Sequence, residues 1–351
     1  MKCLPKSLLG LLVTAGLAMT SEQCSPETTA FRKDWRALTA LERTEYIEAV
    51  WCLRRQPAHL PNDKYPGVKD RLDDFVATHV NYTSAIHSNA LLLPWHRHFT
   101  YLWETALREE CGYTGYVPYW NWPATTNLTE DPLFDGTTTS LSGNGAHDPN
   151  EKPRCDPPYG CEPPGTGGGC VTSGPFKDFE IHLGPFNNSH AGPHATLPAS
   201  AWDYNPRCLK RSFNQPILDR TNNEAAMQRL LNAPDINCFL DIMDPSDKSH
   251  VGSHGAGHRT IGKDMTDVYS SPQDPAFMLH HAMIDRMWTL WQERDIEVRR
   301  DALNGTAVMY NPAWAPLATL DHVLDFGCLD RPRTVREAMD TRRHDYCYSY
   351  Q

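Results

Sequence analysis

Two groups of histidines, far apart in the chain, constrain the fold of this sequence more than any other feature. The sequence contains 16 histidines, and the six that form these groups are His79, His87, His96, His254, His258 and His281. His254 and His258 are four positions apart, which places both imidazoles on one face of a helix. If the groups form one site, the helices that carry them must meet. The chain between them is then an irregular excursion within one domain, not a linker between two.

The composition of these groups indicates which ligands they bind. Imidazole is a good ligand for copper, zinc, iron and nickel. Two groups of three histidines, with no neighbouring thiolate and no obvious ligating carboxylate, therefore predict a pair of such metal ions. Asp285 lies one helical turn after His281 and is placed to orient a ligand histidine through a hydrogen bond. A single histidine is more often structural than a ligand, so the prediction depends on the grouping.

Two common hydrolase mechanisms find little support in the sequence. A zinc protease with a His-x-x-x-His motif needs a glutamate directly after the first histidine as its general base, and that position is Gly255. The nucleophile motif Gly-x-Ser-x-Gly of serine hydrolases does not occur in the sequence.

Helical periodicity is clear in three segments. Thr39 and Glu42 form a capping box that predicts the start of an early helix. Further helices are predicted from about 96 to 110, just after Pro94, and from about 275 to 294. The stretch 125–200 is rich in Pro, Gly, Ser and Thr and predicts a long loop tied down by disulfides.

The composition excludes some partners. Of the 351 residues 40% are hydrophobic, which is enough for a full core. The formal net charge is -10, and no run of Lys and Arg offsets it, so nucleic acid is not expected as a partner. No segment is long and apolar enough to predict a membrane span.

The N-terminal segment predicts export. Lys2 and Lys6 precede a short apolar stretch and small residues, as in a secretory signal peptide, which we assign to residues 1–20. Four sequons agree with export and predict glycosylation, at Asn81, Asn127, Asn187 and Asn304.

The number of cysteines also favours secretion into an oxidising compartment. Removal of Cys3 with the signal peptide leaves ten cysteines, and an even number in an oxidising compartment predicts disulfides throughout, with no connectivity assigned. We therefore expect a secreted protein with one catalytic domain over residues 21–351.

Two long segments resemble the copper-binding signatures of the tyrosinase, or polyphenol oxidase, family. Residues 87–104 (HSNALLLPWHRHFTYLWE) are similar to the first signature, and residues 274–288 (DPAFMLHHAMIDRMW) to the second. Shorter motifs at 32–36, 118–122, 170–176 and 347–350 resemble the short secreted tyrosinase-like proteins of filamentous fungi. The resemblance covers almost the whole predicted mature chain.

This resemblance implies a mainly α fold in which a four-helix bundle holds two copper ions, with long disulfide-tied loops and little β structure. The first copper would be bound by His79, His87 and His96, and the second by His254, His258 and His281. His280, beside a ligand, is not a ligand in the family pattern.

The family implies oxidation of phenols by dioxygen, and two residues bear on which phenols are oxidised. Gly255 stands where an asparagine is associated with orienting a water for monophenol hydroxylation. Arg259 would line the mouth of the site and favour anionic phenols. We therefore expect oxidation of o-diphenols or o-aminophenols to quinones or quinone imines, with monophenol hydroxylation weak or absent.

Three alternatives remain open. One is a tyrosinase with full monophenolase activity, and another is an oxidase that tailors a phenolic secondary metabolite. The third, from a different class, is a non-catalytic protein that binds dioxygen reversibly. The sequence does not specify the oligomeric state.

Overall fold

Helices form the largest elements of the computed structural model, which describes residues 24–25, 27–156, 160–188, 191–343 and 345–351. The predicted signal peptide, residues 1–20, lies outside these ranges. The helices are α1 (Ala40–Arg55), α2 (Arg71–Ile86), α3 (Leu92–Glu109), α4 (Gln215–Thr221), α5 (Glu224–Leu231), α6 (Ile236–Met243), α7 (Ser253–Ile261), α8 (Ala276–Glu293) and α9 (Ile296–Arg299).

The β structure consists of short strands that pair two by two. The strands are β1 (Ala30–Arg32), β2 (Gly145–His147), β3 (Arg154–Asp156), β4 (Gly160–Glu162), β5 (Gly168–Val171), β6 (Glu180–Ile181), β7 (Arg207–Cys208), β8 (Val323–Leu324), β9 (Arg333–Thr334) and β10 (Tyr348–Tyr350). β1 and β10 are parallel, with Arg32 opposite Tyr350. The pairs β2–β5, β3–β4, β6–β7 and β8–β9 are antiparallel. The prediction of a mainly α fold with little β is confirmed.

Local signals explain where α1 and α3 begin. The capping box predicted at α1 is present, since the Thr39 hydroxyl accepts from the Glu42 amide and the Glu42 carboxylate accepts from the Thr39 amide. α3 begins at Leu92, four residues before the predicted start. Pro94 therefore lies within the first turn, where a residue without an N–H costs no helical hydrogen bond.

α2 is not among the helices predicted from the sequence. Its N-cap is Asp70, whose side chain accepts a hydrogen bond from the Asp73 amide. The helix is buried along most of its length, so its residues do not show the alternation of apolar and polar faces that reveals a surface helix. α8 matches its prediction within a residue at each end and is likewise buried on nearly all sides. It packs against α3 and α7 at the centre of the core.

A buried carboxylate connects the core to both ends of the described chain. Asp285 on α8 accepts hydrogen bonds from Arg97 Nε at 2.5 Å and from the hydroxyls of Tyr348 and Tyr350 at 2.7 and 2.6 Å. Arg32 of β1 lies 3.5 Å from the same carboxylate. The two arginines are fully buried, so the carboxylate offsets charges that water cannot reach. We call these five residues the Asp285 hub.

Four disulfides support the irregular segments: Cys24–Cys347, Cys52–Cys111, Cys155–Cys161 and Cys170–Cys208. Two of them fix the loop that was predicted to be tied down. Cys238 is an exposed free thiol, so the prediction that all ten cysteines form disulfides is wrong. An even number permits complete pairing, but only neighbouring cysteines with suitable geometry can form a bond. Among the described residues, no helix has the length and apolar character needed to cross a membrane.

Candidate metal centre

Four helices bring the six predicted histidines together. α2 carries His79 and ends at His87, its C-cap, and α3 carries His96. One ring nitrogen from each of these three lies within 4.8 Å of the others. A second group with the same spacing comes from α7 and α8: His254, His258, His280 and His281. The groups adjoin each other, since the rings of His96 and His281 stack with their centroids 4.3 Å apart.

Hydrogen bonds to the main chain show which nitrogen of four of the imidazoles carries the proton. The Nδ1 atoms of four histidines donate to main-chain carbonyl oxygens: His79 to Tyr269 at 2.7 Å, His87 to Thr83 at 2.8 Å, His96 to Leu92 at 2.8 Å and His258 to Met265 at 2.7 Å. A carbonyl oxygen only accepts, so Nδ1 must bear the hydrogen. In the neutral ring the lone pair is then on Nε2, which is the atom available to a metal ion.

Burial keeps these rings neutral. It holds the pKa of His79, His96 and His281 well below the usual value and lowers that of His87 to about 4. Neighbouring histidines lower these values further, because two imidazolium charges would repel each other. Neutral imidazole is the form that binds metal ions, so the site is in its ligating state at neutral pH.

The close contact between His254 and His258 indicates whether the site suits a cation. The His254 Nδ1 donates to Asp244 Oδ1 at 3.1 Å, and the two Nε2 atoms face each other at 3.2 Å. With hydrogens on both Nδ1 atoms, two lone pairs point at one another, an arrangement that needs a proton or a metal ion between them. Burial lowers the pKa of His258 well below its usual value, which disfavours the proton. The donor set therefore fits a metal ion.

His281 and His280 differ in their surroundings. Neither ring nitrogen of His281 has a hydrogen-bond partner among the described residues, although the ring is buried. His280 Nε2 instead lies 3.0 Å from the main-chain oxygen of His254. Its ring packs so closely on α7 that a Cβ at Gly257 would lie 2.1 Å from its Cε1 atom. His280 thus fastens α8 to α7.

A cavity of about 380 Å³ opens onto the histidines, and His87, His254 and His258 form part of its wall. Gly255 and Arg259 also line it. A Cβ at Gly255 would meet only Val251 Cγ1, at 3.6 Å, so this wall has room for a larger side chain. The Arg259 guanidinium is 3.2 Å from Glu162, which offsets its charge.

The predicted role of Asp285 is not what the structure shows. Its carboxylate contacts the arginines and tyrosines of the Asp285 hub, and no histidine among the described residues is within hydrogen-bond distance of it. The carboxylate that does orient a candidate ligand is Asp244, just after α6, which sequence reasoning missed. No linear pattern marks it, because the loop between α6 and α7 brings it to His254.

A third group that includes a histidine has no place for a cation. Asp70, Asp73 and His182 lie close together and are buried. The Arg54 guanidinium is 2.7 Å from Asp70 and 3.5 Å from Asp73, and so already supplies the positive charge.

Comparison with known proteins identifies the family to which this site belongs. The family described as the common central domain of tyrosinase matches residues 69–294, which include all six histidines. The chain belongs to the tyrosinase family. As a member, it is a copper-dependent oxidoreductase of the tyrosinase and catechol oxidase type.

Similar proteins come from filamentous fungi. The chain is 47% identical over 345 residues to N-acetyl-6-hydroxytryptophan oxidase of Emericella nidulans, covering 94% of each chain. It is 47% identical over 327 residues to tyrosinase P of Aspergillus terreus, covering 91% of each. A solved structure of a mutant polyphenol oxidase from Thermothelomyces thermophila superposes with a TM-score of 0.85 at 37% identity, covering 94% of this chain and 90% of that one.

Proposed function

We propose that this tyrosinase-family chain uses dioxygen to oxidise o-diphenols or o-aminophenols to quinones or quinone imines. Two copper ions would be held by the two histidine groups: His79, His87 and His96 for the first, and His254, His258 and His281 for the second. The observation that carries this assignment is the 3.2 Å approach of two lone-pair-bearing Nε2 atoms, His254 and His258, beside a substrate-sized cavity.

When bound, the copper ions supply the electron transfer between the aromatic substrate and dioxygen. The protein orients the ligands. Hydrogen bonds from Nδ1 to main-chain carbonyls orient the rings of His79, His87, His96 and His258, so these four Nε2 atoms are set before the metal arrives. Asp244 accepts from His254 and thereby increases the electron density on the nitrogen that faces the site.

Gly255 supports a diphenol oxidase. Hydroxylation of a monophenol requires the phenol to lose its proton as it docks, so a base must stand nearby. Gly255 lines the cavity and has no side chain that could hold a water for that purpose. Because there is space beside Gly255, the Gly255→Asn variant should fold without a clash, and its activity can be compared directly with that of the wild type.

The experiment is oxygen uptake by copper-loaded protein with a monophenol and with the matching catechol. We expect uptake with the catechol and little with the monophenol. Gly255→Asn should raise the monophenol rate, whereas Gly255→Ala, which adds bulk but no hydrogen-bonding group, should not. Rapid uptake with the monophenol by the wild type would make the protein a full tyrosinase instead.

A second candidate function is the tailoring of a hydroxylated aromatic metabolite. The name of one relative specifies N-acetyl-6-hydroxytryptophan as the molecule that it oxidises, and this chain is 47% identical to it. No oxygen uptake with simple phenols and catechols would favour such a substrate. Reversible dioxygen binding without turnover would instead support the non-catalytic alternative.

The last part of the proposed function is the location of the protein outside the cell. We infer that residues 1–20 are a signal peptide and that residues 21–351 form one secreted, glycosylated domain. Four disulfides support an oxidising compartment. N-terminal sequencing of protein from the medium of an expressing fungus tests the cleavage site. An uncleaved intracellular chain would contradict it.

A further inference from the structure

We propose that Lys248 determines substrate specificity by binding a carboxylate on the aromatic substrate. The enzyme would then prefer hydroxylated aromatic acids over their uncharged analogues. This inference rests on the proposed oxidation of phenolic substrates and names the class of substrate for that site.

Lys248 lies on the wall of the cavity that opens onto the histidines, in the loop between α6 and α7. Its Nζ is 3.6 Å from the centroid of the Tyr310 ring, a close cation–π contact. Tyr310 in turn donates its main-chain N–H to the carbonyl of Ser88, next to the candidate ligand His87. The ammonium is therefore held near the site and does not swing freely in solvent.

Lys248 and Tyr310 both have an unusual backbone conformation. Lys248 has a φ of 58° and Tyr310 a φ of 68°, the left-handed region that residues with a side chain seldom adopt. Such conformations persist where the surrounding structure holds them, and they concentrate at functional sites. Here they place the Lys248 ammonium over the Tyr310 ring, and both residues line one cavity.

Lys248 is one of three cationic residues that line the cavity, together with Arg154 and Arg259. Arg259 is matched by Glu162 at 3.2 Å. Asp244, a carboxylate in the wall, accepts from the Ser88 amide at 2.7 Å and from His254 at 3.1 Å, so its oxygens are engaged. Within the part of the chain that the structure describes, no carboxylate oxygen lies within 4.0 Å of the Lys248 ammonium.

The apolar residues and the single ammonium in the cavity wall suit an aromatic ligand with one negative charge. Met265, Val268 and Met309 line the same cavity and suit the faces of an aromatic ring. One ammonium offers three donors as a point charge, which matches a single carboxylate. An aromatic acid could thus place its hydroxylated edge towards the histidines and its carboxylate at Lys248.

The test compares two catechols that differ by one carboxylate group. Hydrocaffeate carries a carboxylate separated from its ring by two methylenes, and ethylcatechol lacks it, so the ring chemistry is alike. For Lys248→Met we expect KM for hydrocaffeate to rise about tenfold with kcat unchanged, as for loss of a charge-assisted hydrogen bond. KM for ethylcatechol should stay the same. Lys248→Arg should retain most of the preference, and Lys64→Met, which removes an exposed lysine, should have no effect on either KM.

A binding measurement separates this inference from the proposed function. Hydrocinnamate has no hydroxyl to oxidise, and its amide is the uncharged control, so calorimetry with the copper-loaded protein needs no turnover. Stronger binding of the acid, reduced in Lys248→Met and by added salt, supports the inference even if neither catechol is oxidised. Equal binding of acid and amide, or an equal loss for both catechols in Lys248→Met, would overturn it.

Discussion

The packing of His280 on α7 predicts opposite effects for two glycine substitutions in that helix. In Gly257→Ala the new Cβ would lie 2.1 Å from His280 Cε1 and 2.4 Å from its Nδ1. In Gly255→Ala, two positions earlier, it would lie 3.6 Å from Val251 Cγ1, which is an ordinary contact. Because both residues belong to α7, both variants gain the same helix propensity, up to about 1 kcal/mol.

The cost at Gly257 has two sources. Relief of the overlap requires α7 and α8 to separate or the His280 ring to rotate, and overpacking of this kind costs about 1–3 kcal/mol. Rotation also breaks the contact between His280 and the main-chain oxygen of His254, which costs about 1–3 kcal/mol for a buried group. After the gain in propensity, Gly257→Ala should lose about 1–5 kcal/mol, whereas Gly255→Ala should be unchanged or more stable.

Denaturant unfolding of metal-free protein measures these differences, and copper content per chain reports on the site. Gly257→Ala should also bind less copper, since α7 carries His254 and His258. Should both variants have equal stability and equal copper content, the close packing of His280 on α7 would be refuted.

Three further predictions concern the hub, the metal and acid. Asp285→Asn should lower the free energy of unfolding by about 3–5 kcal/mol, because it leaves the buried Arg97 without an anion; a loss below 1 kcal/mol in urea titrations would contradict this. Chelation should cost about 4 kcal/mol of stability when copper had been present at about 1,000 times its dissociation constant, measured as a lowered Tm that copper restores. The Thr39 amide holds the pKa of Glu42 at about 2, so its stabilisation is present above pH 4.5 and is lost as the pH falls towards 2. The difference in stability between wild type and Glu42→Gln should vanish over that range.

Local patterns predicted the elements whose signals lie within one helix. The capping box of α1 and the ends of α8 follow from neighbouring residues, and the histidine spacing gave both groups of the site. The family resemblance predicted the fold and the enzyme class, which are confirmed. α2 was missed because a helix buried on nearly all sides lacks a polar face, even though the Asp70 cap was available as a signal.

Contacts between distant segments could not be predicted in the same way. Asp285 was expected to contact a ligand histidine, but its partners include Arg32, 253 positions away, and Tyr350, 65 positions away. Asp244 reaches His254 through a loop whose path no periodicity describes. The free thiol of Cys238 depends on which cysteines the fold makes neighbours.

The Asp285 hub determines the order in which a growing chain can complete its fold on the ribosome. Arg32 and Tyr350 are 318 positions apart, so at about 5–20 residues per second roughly 15–60 s separate their synthesis. Throughout that interval Arg32 and Arg97, which are buried in the folded protein, lack some of their partners. β1 likewise has no strand to pair with until β10 has been made. The helices can collapse early, but the nascent core closes only after translation has reached the last strand.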